Sequence, residues 1–471
     1  MKVSSEKYPL RADSPLVQKI IVFLPIGVLT LSTLATMNSL NNLLNMRLKE
    51  INLASIYAIM ATLMSLSNTI AGPIGGKLSD TFGRKKTALI GLALMAAANL
   101  VIGSVRNAPA LMIAYVIFGL AYGTVFPLSS AMVADVMDKG DVPAYIGYAQ
   151  GLMSFGSIVI PIFTGWLTKL FPAGTAINSL LVFSVITWFL ILFLFPDMGG
   201  NELADKKSTG FDWAGLALMF LFVAPLTIGL TLGGKSIPWF SLPSIALFLC
   251  SIICLVLFVK HIKTTKNAII DPALFRIKGF IPVNLIAMLT FPTVALIGSY
   301  LIKYAQDVLK FTAAQTGSWS IRRFVPVILS PLIGFWLSKT AKKSRGYRVA
   351  LIFGGFVEIL SVALLFFCLE EGTPGWLILS SLCLFQAGAA FENSPVKALI
   401  ASSMPIDMRG SGLAIQSYIS SCISTIYIAI AGVFYNSMDF TSAMVCMIIV
   451  ALVCLVIRQL IAFSKLKDLN V

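Results

Sequence analysis

The chain has 471 residues, of which 58% are hydrophobic and only 12% charged, and its mean hydropathy is +0.90. Soluble domains carry about 25% charged residues, so this composition excludes an ordinary soluble enzyme and indicates a polytopic membrane protein. The net charge of +15 does not signal nucleic acid, because Lys and Arg sit in short clusters between apolar stretches, as membrane topology requires.

A bilayer core about 30 Å thick needs roughly 20 apolar residues per helix. Fourteen stretches meet that demand, near 19–41, 52–75, 87–105, 109–133, 145–168, 177–196, 213–233, 242–260, 280–302, 316–338, 349–369, 376–396, 411–435 and 442–463. The leading MKVSSEKYPLRADS has no small-residue cleavage site, so no removable signal peptide is expected. With the N-terminus inside, cytoplasmic segments hold several-fold more Lys and Arg than outer loops. That bias predicts both termini in the cytoplasm and an even number of spans. The seven cysteines (Cys250, Cys254, Cys368, Cys383, Cys422, Cys446, Cys454) all fall in apolar segments, which argues against a disulfide framework or a metal site. His261, beside Lys260, reads as a residue at a helix end. There is no GxxxxGK[ST] loop and no cluster of His, Cys and carboxylate, so no catalytic residue, metal or cofactor is expected.

Between the second and third segments lies Gly-Gly76-Lys-Leu-Ser-Asp80-Thr-Phe-Gly83-Arg84-Lys85. Its cations obey the positive-inside rule, but Asp80 adds nothing to that rule and needs another reason. A weaker copy occurs later. Pro73 to Lys85 aligns without gaps to Pro331 to Lys343, keeping the proline, the first glycine and the cations, but with Ser338 in place of Asp80. The echo predicts two parallel six-helix repeats with an inserted pair: an N-terminal bundle over 1–200, the pair over 201–266, and a C-terminal bundle over 267–471.

These residues resemble the major facilitator superfamily, whose signature between helices 2 and 3 is GxLaDrxGRrk, matched by Gly76, Asp80, Gly83, Arg84 and Lys85. Three further stretches resemble its fourteen-helix drug:proton antiporter branch. Phe211-Asp212-Trp213-Ala-Gly215 is similar to FDWxG, and Asn267 to Arg276 to NPLLDLxLFR. Gly156 to Gly165 around Pro161 is similar to the antiporter motif GxxxGPxxGG, with Ile160 and Thr164 replacing two glycines. The resemblance implies an all-α integral membrane protein with 14 transmembrane helices, two six-helix bundles plus an inserted pair. The bundles would rock about a central site. It also implies that Asp80 latches the cytoplasmic gate by pairing with cations and a helix N-terminus of the opposite bundle.

Departures from the branch matter as much. Thr33 stands where relatives usually carry an aspartate, Asn42 stands where the proline would be, and Tyr115-Val-Ile-Phe118-Gly119 replaces RxxQG. The proton-coupling residues of relatives are therefore not carried over. The C-terminal half instead holds Arg322, Arg323, Glu358 and Glu392 within apolar segments, and charges at membrane depth usually face a cavity, a partner or water. Arg322, Arg323 and Glu392 are candidate cavity groups, and Glu392 and Glu358 are candidates for proton coupling. An arginine pairing with Glu392 and Glu358 packing on a neighbour is the plainer alternative. Asn38, Asn41, Tyr115, Tyr122, Gln150, Tyr300, Phe385 and Gln386 are candidate substrate contacts, since pockets need a few polar groups among apolar walls. Lys303 and Lys310 could steer anions.

The leading expectation is a proton-coupled multidrug-type exporter of small amphipathic molecules, a monomer in the plasma (inner) membrane. With Arg322 and Arg323 facing the pathway, the alternative is an anionic, zwitterionic or lipid-like metabolite as substrate, recognised by guanidinium. A non-transporting sensor on the same fold is disfavoured by the retained Asp80 run.

Overall fold

The computed structural model describes residues 9–10, 13–53, 56–197, 212–233, 237–265, 268–277, 279–340, 345–370, 372–405 and 408–465. Most of the leading MKVSSEKYPLRADS, Phe211, Asn267 and the Lys342-Lys343 pair of the echo lie outside the described residues.

Among the described residues the chain is helical, with one isolated bridge from Gly233 to Ile237. The helices are α1 (Leu16–Glu50), α2 (Tyr57–Phe82), α3 (Arg84–Ser104), α4 (Ala108–Val136), α5 (Val142–Leu167), α6 (Ala173–Leu194), α7 (Trp213–Leu232) and α8 (Leu242–Thr264). A 3-10 turn (Pro272–Arg276) leads to α9 (Phe280–Ala295), a π-helical turn (Leu296–Tyr300) and α10 (Leu301–Asp307). Then come α11 (Ala313–Ser318), a second 3-10 turn (Trp319–Arg323), α12 (Phe324–Thr340), α13 (Arg345–Phe366), α14 (Gly375–Ser403), α15 (Arg409–Ser437) and α16 (Phe440–Lys465). Eleven helical stretches among the described residues are long and apolar enough to cross a membrane. Their outer faces carry side chains such as Ile186, Phe189 and Phe193 on α6, and Leu249, Ile252 and Val256 on α8, all well exposed. Apolar exteriors of this kind suit hydrocarbon, where every backbone group must be satisfied within its own helix.

The breaks have local causes. Gly83, at φ 93°, reverses the chain between α2 and α3 in a conformation that side chains rarely adopt. Pro326 has no N–H to offer the carbonyl of Arg322 four residues earlier, and the turn there tightens to 3-10 over Trp319–Arg323. Pro292 inside α9 similarly precedes the π-helical turn.

The chain forms two compact units, Met1–Val142 with Leu152–Leu274 and Met404–Tyr418, and Pro143–Gly151 with Phe275–Ser403 and Ile419–Val471. In the first, α2 packs on α4, α3 on α4 and α6, and α1 on α6 and α4, while α7 pairs with α8 and rests on α2. Its core gathers Leu40, Leu44, Met60, Met95, Phe118 and Ile177. In the second, α13 lies against α14 and α16, α9 against α16, and α12 against α14. Its core includes Tyr304, Trp319, Leu365, Leu382 and Met444.

Candidate functional site: two buried charge clusters

The first unit holds the Asp80 run. α2 ends at Phe82 and α3 begins at Arg84, so the Gly83 turn folds the Arg84 side chain back against the last turn of α2. Arg84 Nη1 pairs with Asp80 Oδ1 and donates to Ser79 Oγ at 2.8 Å, while its Nε donates to Asp135 Oδ2 at 2.9 Å. Asp135 also takes Arg409 Nη1 at 3.3 Å, and the same nitrogen donates to the Ala134 carbonyl at 2.6 Å. Asp80 Oδ2 accepts from the backbone N–H of Ser411 at 2.9 Å and from its hydroxyl. Ser411 lies in the first turn of α15, whose N–H groups have no partner within the helix and whose dipole favours a negative charge. Gly76 permits the approach, because a Cβ there would stand 2.7 Å from Ala414 Cβ and 2.9 Å from Ser411 Cα. Two carboxylates and two guanidiniums thus join α2, α3, α4 and α15 in a cluster whose formal charge is zero. Lys85 Nζ adds a tie to the Phe195 carbonyl beyond α6, at 2.7 Å.

The second unit holds the other cluster. Glu358 on α13 and Arg458 on α16 are fully buried, and Glu392 on α14 is 5% exposed. Arg458 Nη1 donates to Glu358 Oε2, and Nη2 lies 2.8 Å from Glu392 Oε2. Thr290 on α9 donates its hydroxyl to the same Glu392 oxygen at 2.6 Å. Glu358 Oε1 and Arg458 Nε face no hydrogen-bond partner. Here two carboxylates share one guanidinium, so with both acids ionised the cluster carries one uncompensated negative charge.

The structure brings Glu358 and Glu392 together, through Arg458 rather than through Arg322 or Arg323. Those two arginines sit half-buried in the 3-10 turn before α12. Gln150 accepts from Lys397 Nζ at 3.3 Å. Tyr300, in the π-helical turn, donates to the Ile428 carbonyl at 3.0 Å. Phe385 packs in the core of its unit, and Gln386 beside it is half-buried. In the first unit Tyr115 donates to Asn41 Oδ1 at 3.0 Å, Tyr122 stacks between Phe118 and Phe126, and Asn38 is half-buried. Gly156 lets α5 approach α1, since a Cβ there would lie 2.6 Å from the Leu31 carbonyl oxygen; Pro161 is half-buried and Gly165 exposed. Thr33 bonds back to the Leu29 carbonyl within α1.

Sequence reasoning missed Asp135, Arg409, Lys397 and Arg458. Asp135 carried a signal of the kind noticed at Asp80, an acid at a helix end where topology calls for cations. Arg458 stands inside an apolar segment as Arg322 does, a signal of the same kind.

A third acid lies outside the apolar spans. Asp212 caps α7 through Gly215 N–H at 2.8 Å, and also accepts from Ile269 N–H at 2.9 Å and pairs with His261 Nε2 at 2.7 Å. Burial pushes its pKa up, but the bonds from Gly215, His261 and Ile269 together outweigh this and hold it below the ordinary carboxylate value.

Multiple apolar helices with charges buried between them, among the described residues, define a polytopic membrane protein. The family model of the Major Facilitator Superfamily matches residues 26–405, and the chain belongs to that family. It is 25% identical over 286 residues to the "Multidrug transporter protein MdtP" of Bacillus subtilis (strain 168), which covers 59% of this chain and 51% of that protein. It is 22% identical over 366 residues to "Multidrug resistance protein 3" of the same organism, 76% and 68% of the two chains. The match to "Efflux pump dotC" of Dothistroma septosporum is 28% over 360 residues, covering 73% and 58%. The chain thus spans between about half and two thirds of the length of these relatives. In fold it is similar to the human organic anion transporter MFSD10 (TETRAN), with a TM-score of 0.68 at 14% identity over 94% of this chain and 100% of that one. It is also similar to the proton:xylose symporter XylE, with a TM-score of 0.65 at 15% identity over 98% and 97%.

Proposed function

We propose that the chain is a proton-coupled exporter of small amphipathic molecules that works by alternating access. In this reading fourteen helices cross the plasma membrane, as two six-helix bundles over 1–200 and 267–471 with an inserted pair over 201–266. Both termini are cytoplasmic and the protein acts as a monomer. The observation that carries the reading is the excess carboxylate beside Arg458. A bare negative charge in a dry interior costs several kcal/mol, on the order of 3 or more, and one proton on Glu358 or Glu392 removes it. A site that is neutral with a proton and charged without one is what coupling to a proton gradient needs. The cluster around Asp80, by contrast, is already neutral and serves as a latch that opens and re-forms in each cycle. The export of amphipathic compounds rests on the relatives named as multidrug transporters and efflux pumps.

A second reading keeps the fold and changes the cargo. Arg322 and Arg323 follow one another in the second 3-10 turn and are half-buried. Paired guanidiniums favour a carboxylate or phosphate and would repel a cationic drug. Candidate contacts under either reading are Asn38, Tyr115, Tyr122, Gln150, Tyr300, Phe385 and Gln386.

The test is uptake into proteoliposomes under an imposed pH gradient, comparing a cationic dye with an anionic amphiphile. Gradient-driven dye movement that persists in Arg322→Ala and Arg323→Ala supports the drug exporter. Movement of the anion alone, lost in those variants, supports the second cargo. Indifference of both fluxes to the gradient would overturn proton coupling.

A further inference from the structure

α12 and α13 both lean on α14 but scarcely touch one another. The gap is an open groove of about 360 Å³, walled by Leu332 and Trp336 on α12, Val349 and Phe353 on α13, and Phe391 on α14. Phe353 and Phe391 close its floor edge to face, with ring centres 4.9 Å apart. Every lining residue is apolar. Pockets that select a drug or metabolite place a few polar groups among apolar walls, and this one places none, so its walls suit a plain hydrocarbon chain.

The charge sits at one end. Lys339 follows Trp336 by three residues, about 4.5 Å along the helix, and its ammonium rests 4.3 Å from the centre of the exposed Phe335 ring. Arg345 precedes Val349 by four residues and so shares its face of α13. Both cations are exposed. Arg345 also opens α13, so the positive end of that helix dipole points the same way. The nearest acids in sequence are Asp307 and the buried Glu358, and neither lies at this end.

We infer that the groove between α12 and α13 holds one anionic phospholipid of the surrounding bilayer. One acyl chain lies along Trp336 and Phe353, and the headgroup is held between Lys339 and Arg345. Cations next to a membrane surface attract anionic lipid additively, while the apolar walls retain the chain whatever the headgroup. The lipid braces α12 on this face. On its other face α12 is locked through Pro331 and Gly334 to the first turns of α5, where a Cβ at Gly147 would stand 2.8 Å from Gly334 Cα.

Trp336 provides the readout. The full-length protein is reconstituted in phosphatidylcholine vesicles doped with brominated phosphatidylglycerol or, separately, with brominated phosphatidylcholine. The contribution of Trp336 is taken as the difference in quenching between the unaltered chain and Trp336→Phe. The expected result is half-maximal quenching at a roughly tenfold lower mole fraction of the anionic lipid, as two surface cations allow. In a Lys339→Gln/Arg345→Gln variant the two lipids should become equal, because both side chains are exposed and leave the packing untouched. Equal quenching by both lipids in the unaltered chain would reduce the groove to ordinary bilayer contact and overturn the inference. A preference that survives the double variant would overturn the headgroup assignment. Absence of quenching by either lipid would show that no acyl chain enters. None of these outcomes depends on transport activity.

Discussion

The cluster around Asp80 and the cluster around Glu392 are built from the same parts, carboxylates, a hydroxyl and guanidinium, yet they are balanced differently. Around Asp80 two acids meet two arginines and the exposed N–H groups of a helix start, so each charge has a partner and the cluster sits at helix ends. Around Glu392 two acids meet one arginine in the middle of long helices, with an orphaned carboxylate oxygen. A balanced cluster can fasten and release without exchanging ions with solvent. An unbalanced one can be neutral only by taking up a proton. The difference teaches that charge arithmetic within a cluster says more about its role than the burial of any one member.

The largest effect is expected where that arithmetic is made worse. Arg458→Met leaves Glu358 and Glu392 facing each other without their cation, and removing one partner of a buried pair costs about 3–5 kcal/mol. Thermal unfolding of the purified variant should show a clear loss, partly recovered when Glu358→Gln is added. A melting curve like that of the unaltered protein would mean that the carboxylates do not depend on Arg458. Glu392→Gln goes the other way. It leaves one acid and one guanidinium, so thermal stability should be equal or higher while the response of transport to a pH gradient disappears. An intact gradient response in Glu392→Gln would remove this cluster from coupling.

In the balanced cluster the expectation is functional instead of structural. Asp80→Asn keeps the shape but weakens its charge-assisted bonds to Arg84 and Ser411. Each such bond is worth about 1.5–3 kcal/mol, which sets a loss of roughly tenfold to a hundredfold in the population of the latched state. Initial rates of transport should fall accordingly, while the amount inserted into the membrane stays level. Full transport activity in this variant would refute the latch. Arg409→Lys should fall between the two, because an ammonium can still meet Asp135 but cannot keep the fork to Asp135 and the Ala134 carbonyl.

Much of this was legible in the sequence, for identifiable reasons. Long apolar runs mark membrane helices because hydrocarbon permits little else, and the Asp80 run exposed the family because an acid among topogenic cations is hard to explain otherwise. Partnerships were not legible. Nothing in linear order links Glu358 to Arg458, one hundred residues apart, or Asp80 to Ser411, 331 residues apart. Helix-facing angle over such distances depends on packing. The 3-10 turn at Trp319–Arg323 could have been anticipated from Pro326, since a proline withdraws the bond that the carbonyl four residues earlier would accept. That turn sets Arg322 and Arg323 at a local tightening of the helix, which an ideal helical projection does not reproduce.

Asp212 sharpens the comparison as a control, an acid well supplied with donors but with no moving part assigned to it. It caps α7 and pins Ile269, so Asp212→Ala should cost about 0.5–2 kcal/mol, the usual range for a lost N-cap, and should leave transport unchanged, whereas Asp212→Asn keeps a capping oxygen and removes the charge. Its pH dependence has a definite sign. The folded pKa lies below the ordinary value of 3.8, so the stabilisation from its charge is fully present above about pH 4 and is lost as pH falls through the folded value. Melting temperatures measured in detergent from pH 7 to pH 3 should therefore show a gap between the unaltered chain and Asp212→Asn that is constant near neutrality and narrows at the acid end. Other carboxylates titrate in both proteins and cancel in the difference. A gap that widened on acidification would mean that the Gly215, Ile269 and His261 bonds stabilise the protonated acid, reversing the assignment of Asp212 as a charged cap.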